Sequence, residues 1–465
     1  MSLSNSSGVG SPANGPTALT EAEQRETVGK ISRRLIPLLF ICYVIAYVDR
    51  INVGFAKLHL REALNVAPDK FDTAFGFGAG IFFVGYFLFE VPSNLILHRV
   101  GARVWIARIM ILWGIVSAAF MFLKGATMFY VMRFLLGAAE AGFFPGVLLY
   151  FTFWYPARER ARIIALFSIG GVAAGVIGSP INGWILQTMG ERFGLHAWQW
   201  LFLLEGIPSV LMGIFVLFVL PNGPRDCSWL SPREKAWVHD RLANDPANAE
   251  SSERHSLKHA FTSGRVYLLC LIYFTMNIGS YGFEMWAPSI IKQLSGGSDK
   301  SVGFLNAIPY FTAGIMMFLT GRHSDKTGER RLHIAFAAFS ATIGFAIAAN
   351  ATSPVLKMVG LVLAFTSSKC TIAPFWALTS GFLSGTAAAG GIAFINSVGN
   401  LGGYFGPFLV GYIKDRTHGS NFAALLLLGG SLLTMALVTL LLPKARKLNG
   451  VSAPPAAAPA TSTVR

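Results

Sequence analysis

The sequence predicts an all-α membrane protein with about twelve transmembrane helices in two six-helix repeats. Hydrophobic residues make up 53% of the 465 residues, charged residues make up only 13%, and the mean hydropathy is +0.53. Apolar runs of about 20 residues recur along the chain, and each can cross a hydrocarbon core of about 30 Å as a helix. A glycine pattern in the fifth run returns in the eleventh, which indicates an internal repeat.

The predicted spans cover most of the chain and are separated at the middle by a polar segment. They lie at 35–57, 75–97, 104–123, 127–152, 161–187, 199–221, 265–291, 302–321, 332–350, 356–380, 385–412 and 421–442. The predicted organisation is a disordered N-terminal tail, a six-helix bundle, a cytoplasmic linker, a second six-helix bundle and a disordered C-terminal tail, at 1–34, 35–221, 222–264, 265–442 and 443–465.

Lysine and arginine residues predict the orientation of the helices. They concentrate in the short connections that follow even-numbered spans, at Arg99, Arg103, Arg158, Arg160, Arg162, Arg322, Lys326, Arg330 and Arg331. Basic short loops stay on the cytoplasmic side of a membrane. We therefore expect these connections and both termini to be cytoplasmic.

The composition argues against several other classes of protein. The net charge of +15 is scattered over short loops, so no nucleic-acid partner is expected. The four cysteines have no metal-ligand spacing, which predicts neither a disulfide framework nor a metal site. The sequence contains no phosphate-binding Gly-x4-Gly-Lys-Ser/Thr loop. We therefore expect neither an enzyme nor a cofactor, and we expect an energy source other than ATP.

Four glycines of the fifth span recur in the eleventh span at a constant offset of 228 residues. The two sets are Gly171, Gly175, Gly178 and Gly183, and then Gly399, Gly403, Gly406 and Gly411. A second echo, at offset 227, relates the segment from Gly321 to Gly328 to the segment from His98 to Gly101. Small residues let helices approach closely in lipid, so both spans are expected at helix interfaces, either for sliding or for static packing.

Five segments carry a resemblance to a known family. They are Tyr47-Val48-Asp49-Arg50-Ile51-Asn52, Phe89-Glu90-Val91-Pro92-Ser93-Asn94, the run from Arg133 to Gly142, Phe375-Trp376-Ala377-Leu378, and the run from Asn400 to Pro407. With these segments the chain resembles the major facilitator superfamily and, within it, the anion:cation symporter family. The resemblance implies proton-driven uptake of small organic carboxylates, such as tartrate-like acids, aromatic dicarboxylates or sugar acids, across a bacterial inner membrane.

The same resemblance implies roles for residues outside the first span. Tyr86, Trp376 and Asn400 occupy positions associated with the central cavity. The superfamily's loop signature, Gly-x3-Asp-Arg-x-Gly, is represented by Gly321, Asp325 and Gly328, and in the first half by Arg99 and Gly101. His98 stands at the acidic position of the first-half signature, which puts the usual gating interaction in doubt there.

The charged residues inside spans also point to anion chemistry. An intramembrane charge costs at least about 2.5 kcal/mol and normally faces a cavity. Tyr47 and Arg50 lie on one helical stripe, and a guanidinium matches a carboxylate with two hydrogen bonds. We expect them to bind substrate, although Arg50 also has a structural reading as the partner of an acid. Lys369 is predicted to be a second cation that favours dianions, and it too has an alternative as the partner of an acid.

Asp49 and Glu140 are the predicted proton-coupling residues. Arg133 lies seven residues before Glu140, and we expect it to hold Glu140 ionised in one state and release it in another. The alternative is a static buried ion pair. Three further acids nearer the span ends are assigned to structural pairing: Glu90, Glu205 and Glu284.

Other functions remain open at this level. Anion exchange or sodium coupling is the alternative to proton symport, and a non-transporting membrane sensor is a further one. The predicted partners are a small organic anion, protons and membrane lipid, and a monomer is expected.

Overall fold

The computed structural model describes residues 19–245, 263–382 and 385–442, and long helices dominate these ranges. The main helices are α1 (Glu21–Ala56), α2 (Phe71–Val100), α3 (Ala102–Ala119), α4 (Gly125–Glu140), α5 (Phe143–Thr152), α6 (Ala157–Thr188), α7 (Ala197–Val219), α8 (Pro232–Ala243), α9 (Gly264–Ser295), α10 (Asp299–Thr327), α11 (Arg331–Asn350), α12 (Pro354–Cys370), α13 (Ile372–Phe382), α14 (Gly385–Asn400), α15 (Gly402–Arg416) and α16 (Asn421–Leu441).

Most of the predicted spans appear as helices of membrane-crossing length. Within the described residues, 11 helical stretches are long and apolar enough to cross a membrane, and they correspond to every predicted span except 385–412. That span is occupied by α14 and α15, which are separated at Leu401 and are each too short alone. The chain is thus a multi-pass, all-helical membrane protein.

The first helix begins well before the predicted span. Thr20 and Glu23 form a capping box, because the Thr20 hydroxyl accepts from the Glu23 amide and the Thr20 amide donates to the Glu23 carboxylate at 2.7 Å. Thr27 and Ile31 are buried on the helix that follows. The prediction that disorder extends to residue 34 is therefore wrong from Glu21 onward. Residues 1–18 and 443–465 of the predicted tails lie outside the described residues.

The linker between the halves contains a helix that docks on α1. Glu234 of α8 accepts hydrogen bonds from the Lys30 ammonium at 2.9 Å and from the Thr27 hydroxyl at 3.3 Å. Burial alone would raise the pKa of Glu234, but the hydrogen bonds from Lys30 and Ser231 lower it to about 2. The docking therefore relies on an ionised carboxylate.

The glycine repeat places the same contacts in both halves. An added Cβ at Gly175 or Gly183 of α6 would collide with α10 of the other half, and one at Gly403 or Gly411 of α15 would collide with α2. Gly178 and Gly406, the glycines between the members of these pairs, instead face the first helix of their own half, which is α1 and α9, respectively. The helix pairs α6 with α10 and α2 with α15 thus form the seam between the halves, at backbone-to-backbone distance.

The side of the bundle opposite α8, here called the far side, is closed by polar contacts between the halves. His59 Nε2 of the first half lies 2.8 Å from an oxygen of Asp299 in the second. The Asp415 carboxylate accepts from the backbone amides of Asp72 and Thr73 at 3.2 and 2.7 Å, so it caps the N-terminus of α2 from the other half. Both contacts must break before the far side can open.

Replacing Glu234 with glutamine is expected to loosen α8 from α1. Glutamine keeps the capping box with Ser231 but removes the charge that Lys30 neutralises. Amide hydrogen exchange of residues 232–243 should become about fivefold faster. The pKa of Glu234 is lowered from 4.5 to about 2. The difference in exchange rate between the variant and wild type should therefore be complete above about pH 4.5 and should vanish as the pH falls towards about 2.

The matched control for this variant is Asp240→Asn on the same helix. The Asp240 side chain is 65% exposed, and it lies 3.5 Å from the ring of the neighbouring His239. Exchange in this control should match wild type. Equal exchange in the Glu234→Gln variant and wild type at neutral pH would show that the ion pair does not hold α8.

Candidate functional site

Two buried ion pairs meet where α1 of the first half faces α9 of the second. We call this set the central cluster: Tyr47, Arg50, Glu140, Glu284 and Lys369. The first three residues belong to the first half and the last two to the second. The cluster is therefore a polar connection between the halves, formed by the residues predicted to bind substrate and protons together with Glu284.

The first ion pair joins Arg50 of α1 to Glu140 of α4. Glu140 is the last residue of α4, and Gly142 with φ of +88° separates this helix from α5. The Arg50 guanidinium carbon also lies 5.4 Å from the centroids of the Tyr47 and Phe82 rings. The Tyr281 phenol also interacts with the Arg50 guanidinium, but the Arg50 Nε is buried without a hydrogen-bond acceptor among the described residues. That donor is available to an additional oxygen.

The second ion pair joins Lys369 of α12 to Glu284 of α9. The Lys369 ammonium lies 2.6 Å from Glu284 Oε1, and their side chains are 9% and 1% exposed. The Tyr47 hydroxyl donates to the same carboxylate and lies 3.0 and 3.2 Å from its two oxygens. Tyr47 thus connects the two pairs, since its hydroxyl binds Glu284 and its ring lies beside Arg50.

Asp49 occupies a separate polar pocket inside the first half. The Trp113 indole N–H and the Ser117 hydroxyl donate to its carboxylate, and Asn52 Nδ2 donates at 2.9 Å. Glu205 interacts with Asp49 electrostatically from α7. The two neighbours Asp49 and Arg50 therefore face different surroundings, as their positions on one helix predict.

Arg133 does not have the partner that its spacing predicts. Its Nε and Nη2 donate to the carbonyl oxygens of Gly78 and Ala79 at 3.3 and 3.0 Å, and its guanidinium lies 4.8 Å from the Phe82 ring. Glu140 pairs with Arg50 instead. The alternative of a static Arg133 and Glu140 pair is thus wrong, because α1 brings a closer cation, and only an electrostatic interaction remains between the two residues. A state-dependent role of Arg133 stays a prediction.

The three residues that the resemblance assigns to the cavity are brought together only in part. The Tyr86 ring lies 5.9 Å from the Arg50 guanidinium, so it belongs beside the central cluster. Trp376 of α13 packs on the ring of Tyr273 at 5.0 Å. Asn400 is buried at the end of α14, at the break before α15.

The predicted gating-loop residues mostly lie inside helices. Gly321 and Asp325 fall within α10 and Arg99 falls within α2, so their placement in loops is wrong. Gly328 and Gly101 do end these helices, with φ of +67° and +95°. Both helices continue through the charged residues and end only where a glycine allows the left-handed backbone. Asp325 pairs with Arg330 at 2.7 Å.

Glu284 and Tyr281 are the site residues that the sequence-based assignment missed. The sequence assigns Glu284 to structural pairing, and its carboxylate does pair with Lys369, but it also accepts from Tyr47 of the other half and so joins the central cluster. Tyr281 lies one helical turn earlier, with its ring 5.9 Å from the Lys369 ammonium. The i, i+3 spacing of Tyr281 and Glu284, which places a phenol and a carboxylate on one helical face within a span, is the sequence signal that points to them.

A large groove of about 1210 Å³ lies away from the central cluster. It runs between α10, α11 and α12 and is lined mainly by apolar side chains, including Met316, Phe336 and Val355. Phe336 and Val355 are more than 70% exposed, so this groove opens on the outside of the bundle. In the described part of the chain, no group of three His, Cys, Asp or Glu side chains is arranged to hold a metal ion.

Comparisons with known proteins give consistent results. The family model described as Major Facilitator Superfamily matches residues 39–407. Two Agrobacterium vitis proteins, each named "Putative tartrate transporter", are 47% and 46% identical over 90% and 92% of this chain and 95% and 93% of their own lengths. The "Quinolone resistance transporter" of Acinetobacter baumannii is 41% identical over 88% of this chain and 94% of its own.

Solved structures share the fold. The xylose transporter XylE from E. coli, in a partially occluded inward open conformation, superposes with a TM-score of 0.68 at 15% identity. The match covers 87% of this chain and 96% of that protein.

Replacing Glu140 with alanine is expected to lower the free energy of unfolding by about 3–5 kcal/mol, because Arg50 then stays buried without its counter-ion. The double variant Arg50→Met/Glu140→Ala removes both charges and should recover much of this loss. Denaturant unfolding of the purified protein in detergent measures both.

Glu90→Ala is the matched control for this prediction. Glu90 is also a buried carboxylate, but its partner is the amide of Asn396 at 2.8 Å rather than a cation. Its loss should cost about 1 kcal/mol. If Glu140→Ala costs no more than Glu90→Ala, the Arg50 pair contributes nothing to stability.

Proposed function

The chain belongs to the Major Facilitator Superfamily, and we propose that it takes up a small organic carboxylate by proton symport through alternating access. Its physiological position would be the bacterial inner membrane, with α8 and both termini on the cytoplasmic side, as the basic loops favour.

The observation that carries this proposal is the unpartnered Nε of the Arg50 guanidinium. Arg50 Nη2 binds Glu140, while the Nε is buried without an acceptor in the part of the chain that the structure describes. A buried donor without a partner is costly, so an oxygen of a ligand would be bound favourably there. An arginine stays protonated in a low-dielectric site and matches the geometry of a carboxylate.

Alternating access fits the seam between the halves. The close helix pairs at the seam allow one half to rock against the other around a central site. The far side is held by Asp299 and Asp415, each of which reaches a group of the other half. Release of these contacts would expose the central cluster to the opposite side of the membrane.

Proton coupling is assigned to Asp49 and Glu140. Glu140 neutralises Arg50 in the structure described here, so an arriving carboxylate competes with it for the same cation. Protonation of Glu140 would release Arg50 to the substrate. Asp49, with three hydrogen-bond donors and no cation among its bonded partners, can gain or lose a proton without breaking an ion pair.

Lys369 suggests a substrate with two carboxylates. The second cation lies on the other side of Tyr47 from Arg50, so a dianion that reaches both would meet one cation with each end. The names of the two Agrobacterium vitis relatives include tartrate, which is a dianion of this type.

Purified protein in liposomes is expected to accumulate tartrate when an inward proton gradient is imposed and to acidify the lumen as it does so. Asp49→Asn and Glu140→Gln should each abolish accumulation, because neither variant can release and rebind the coupling proton. Radiolabelled uptake together with an internal pH dye measures both quantities. Accumulation that persists after the proton gradient is collapsed would contradict symport and favour exchange or sodium coupling.

Lys369→Met is expected to reduce transport of dicarboxylates selectively. Loss of one charge-assisted hydrogen bond should weaken tartrate binding about tenfold to a hundredfold, and should affect a monocarboxylate such as glycerate much less. Competition of each acid against uptake gives the ratio. Lys292→Met is the matched control, because Lys292 pairs with Asp299 on the far side. An unchanged preference for dicarboxylates in Lys369→Met would remove Lys369 from the substrate site.

A further inference from the structure

We infer that Glu284 is an additional proton acceptor, which the second carboxylate of a dianionic substrate displaces from Lys369 in exchange for a proton. The inference rests on the proposed function and adds to it one residue, Glu284, and one further proton per dianionic substrate. It follows from the way in which the two cations of the central cluster are already neutralised.

Each cation of the central cluster has its own internal carboxylate. Arg50 holds Glu140, and Lys369 holds Glu284 at 2.6 Å. The cluster is therefore neutral, with two positive and two negative groups. A dianion that binds both cations would add two negative charges to a site that is largely withdrawn from water. Burial of unbalanced charge is costly, so neutrality is restored most simply by one proton on each displaced carboxylate.

The surroundings of Glu284 suit a carboxyl group that changes its charge. Its closest groups are the Lys369 ammonium and the Tyr47 hydroxyl, and the phenols of Tyr43, Tyr281 and Tyr310 interact with it electrostatically. Lys369 is the one cation with which it forms an ion pair among the described residues. Once a substrate carboxylate occupies Lys369, nothing else in this group stabilises the ionised form of Glu284 by a full charge.

Tyr47 allows the exchange without loss of a hydrogen bond. Its hydroxyl lies 3.0 and 3.2 Å from the two oxygens of Glu284 and donates to the ionised form. After Glu284 gains a proton on one oxygen, the hydroxyl can donate to the remaining oxygen or accept from the new O–H. The step forms one O–H bond on Glu284 and replaces the ion pair of Lys369 with Glu284 by one between Lys369 and the substrate.

Proton binding and substrate binding must then be linked reciprocally. If tartrate raises the proton affinity of Glu284, protonation of Glu284 raises the affinity for tartrate by the same factor. Each linked proton changes the dissociation constant tenfold per pH unit in the range where the carboxylate is ionised in the free protein and protonated in the complex. A monocarboxylate bound at Arg50 alone leaves the Lys369 pair intact and lacks this contribution.

The test is isothermal titration calorimetry of the full chain in detergent with tartrate, in buffers of different ionisation enthalpy, which counts the protons bound with the ligand. Glu284→Gln should bind one proton fewer than wild type. From pH 6 to pH 7, the fold-increase in the dissociation constant for tartrate should be about ten times smaller in this variant than in wild type. Glu284→Asp should restore the wild-type count.

A second ligand and a further variant keep the test decisive. In wild type, a monocarboxylate such as glycerate should bind with one proton fewer than tartrate, because it leaves the pair of Lys369 and Glu284 intact, and this comparison does not depend on the folding of a variant. Glu90→Gln changes a buried carboxylate that accepts from Asn396, and it should keep the wild-type count. An unchanged count in Glu284→Gln, or equal counts for tartrate and glycerate in wild type, would overturn the inference while leaving proton symport through Asp49 and Glu140 intact. Tartrate binding to wild type without proton uptake, or no binding at all, would contradict the inference together with the proposed function on which it rests.

Discussion

The hydrogen bond from Tyr47 to Glu284 joins two buried ion pairs that belong to different halves of the protein. Charges within a membrane are stable only when they are paired or reach water, so the position of each helix around this bond is constrained. Arg50 requires α4 to bring Glu140 to it, and Lys369 requires α9 to bring Glu284. The central cluster is therefore a packing constraint on four helices as well as a candidate binding site.

The remainder of the bundle permits this arrangement through close backbone contact. Lipid removes most of the hydrophobic drive for helix association, so the halves meet through small residues and a few polar contacts. Gly183 of α6 and Gly303 of α10 approach so closely that a Cβ on Gly183 would lie 3.0 Å from the Gly303 Cα. The helix pair α2 and α15 makes the same kind of contact, because a Cβ on Gly411 would collide with the Asp72 carbonyl oxygen. Elsewhere in the seam, Gly175 and Gly403 leave room for the rings of Tyr310 and Phe83 from the other half.

Neutrality of the buried site connects the structure to the proposed coupling. Before any substrate binds, Arg50 is already paired with Glu140 and Lys369 with Glu284. An incoming carboxylate is thus a competitor for a cation, and a proton on the displaced acid completes the exchange. The proposed specificity for anions and the proposed requirement for protons would then have one physical origin, which is the cost of unbalanced charge in a medium of low dielectric constant.

Much of this protein is determined by the sequence alone. The apolar runs define the membrane spans, since length and hydropathy act locally, and the glycine register identifies both the repeat and its interfaces. The cost of intramembrane charge singles out Asp49, Arg50, Glu140 and Lys369. Only the tertiary structure decides which residues form pairs: Glu140 binds Arg50 rather than Arg133, and Glu284 pairs with Lys369 beside Tyr47 of the other half. Such pairings depend on the rotation and depth of helices far apart in the chain, which no local pattern specifies.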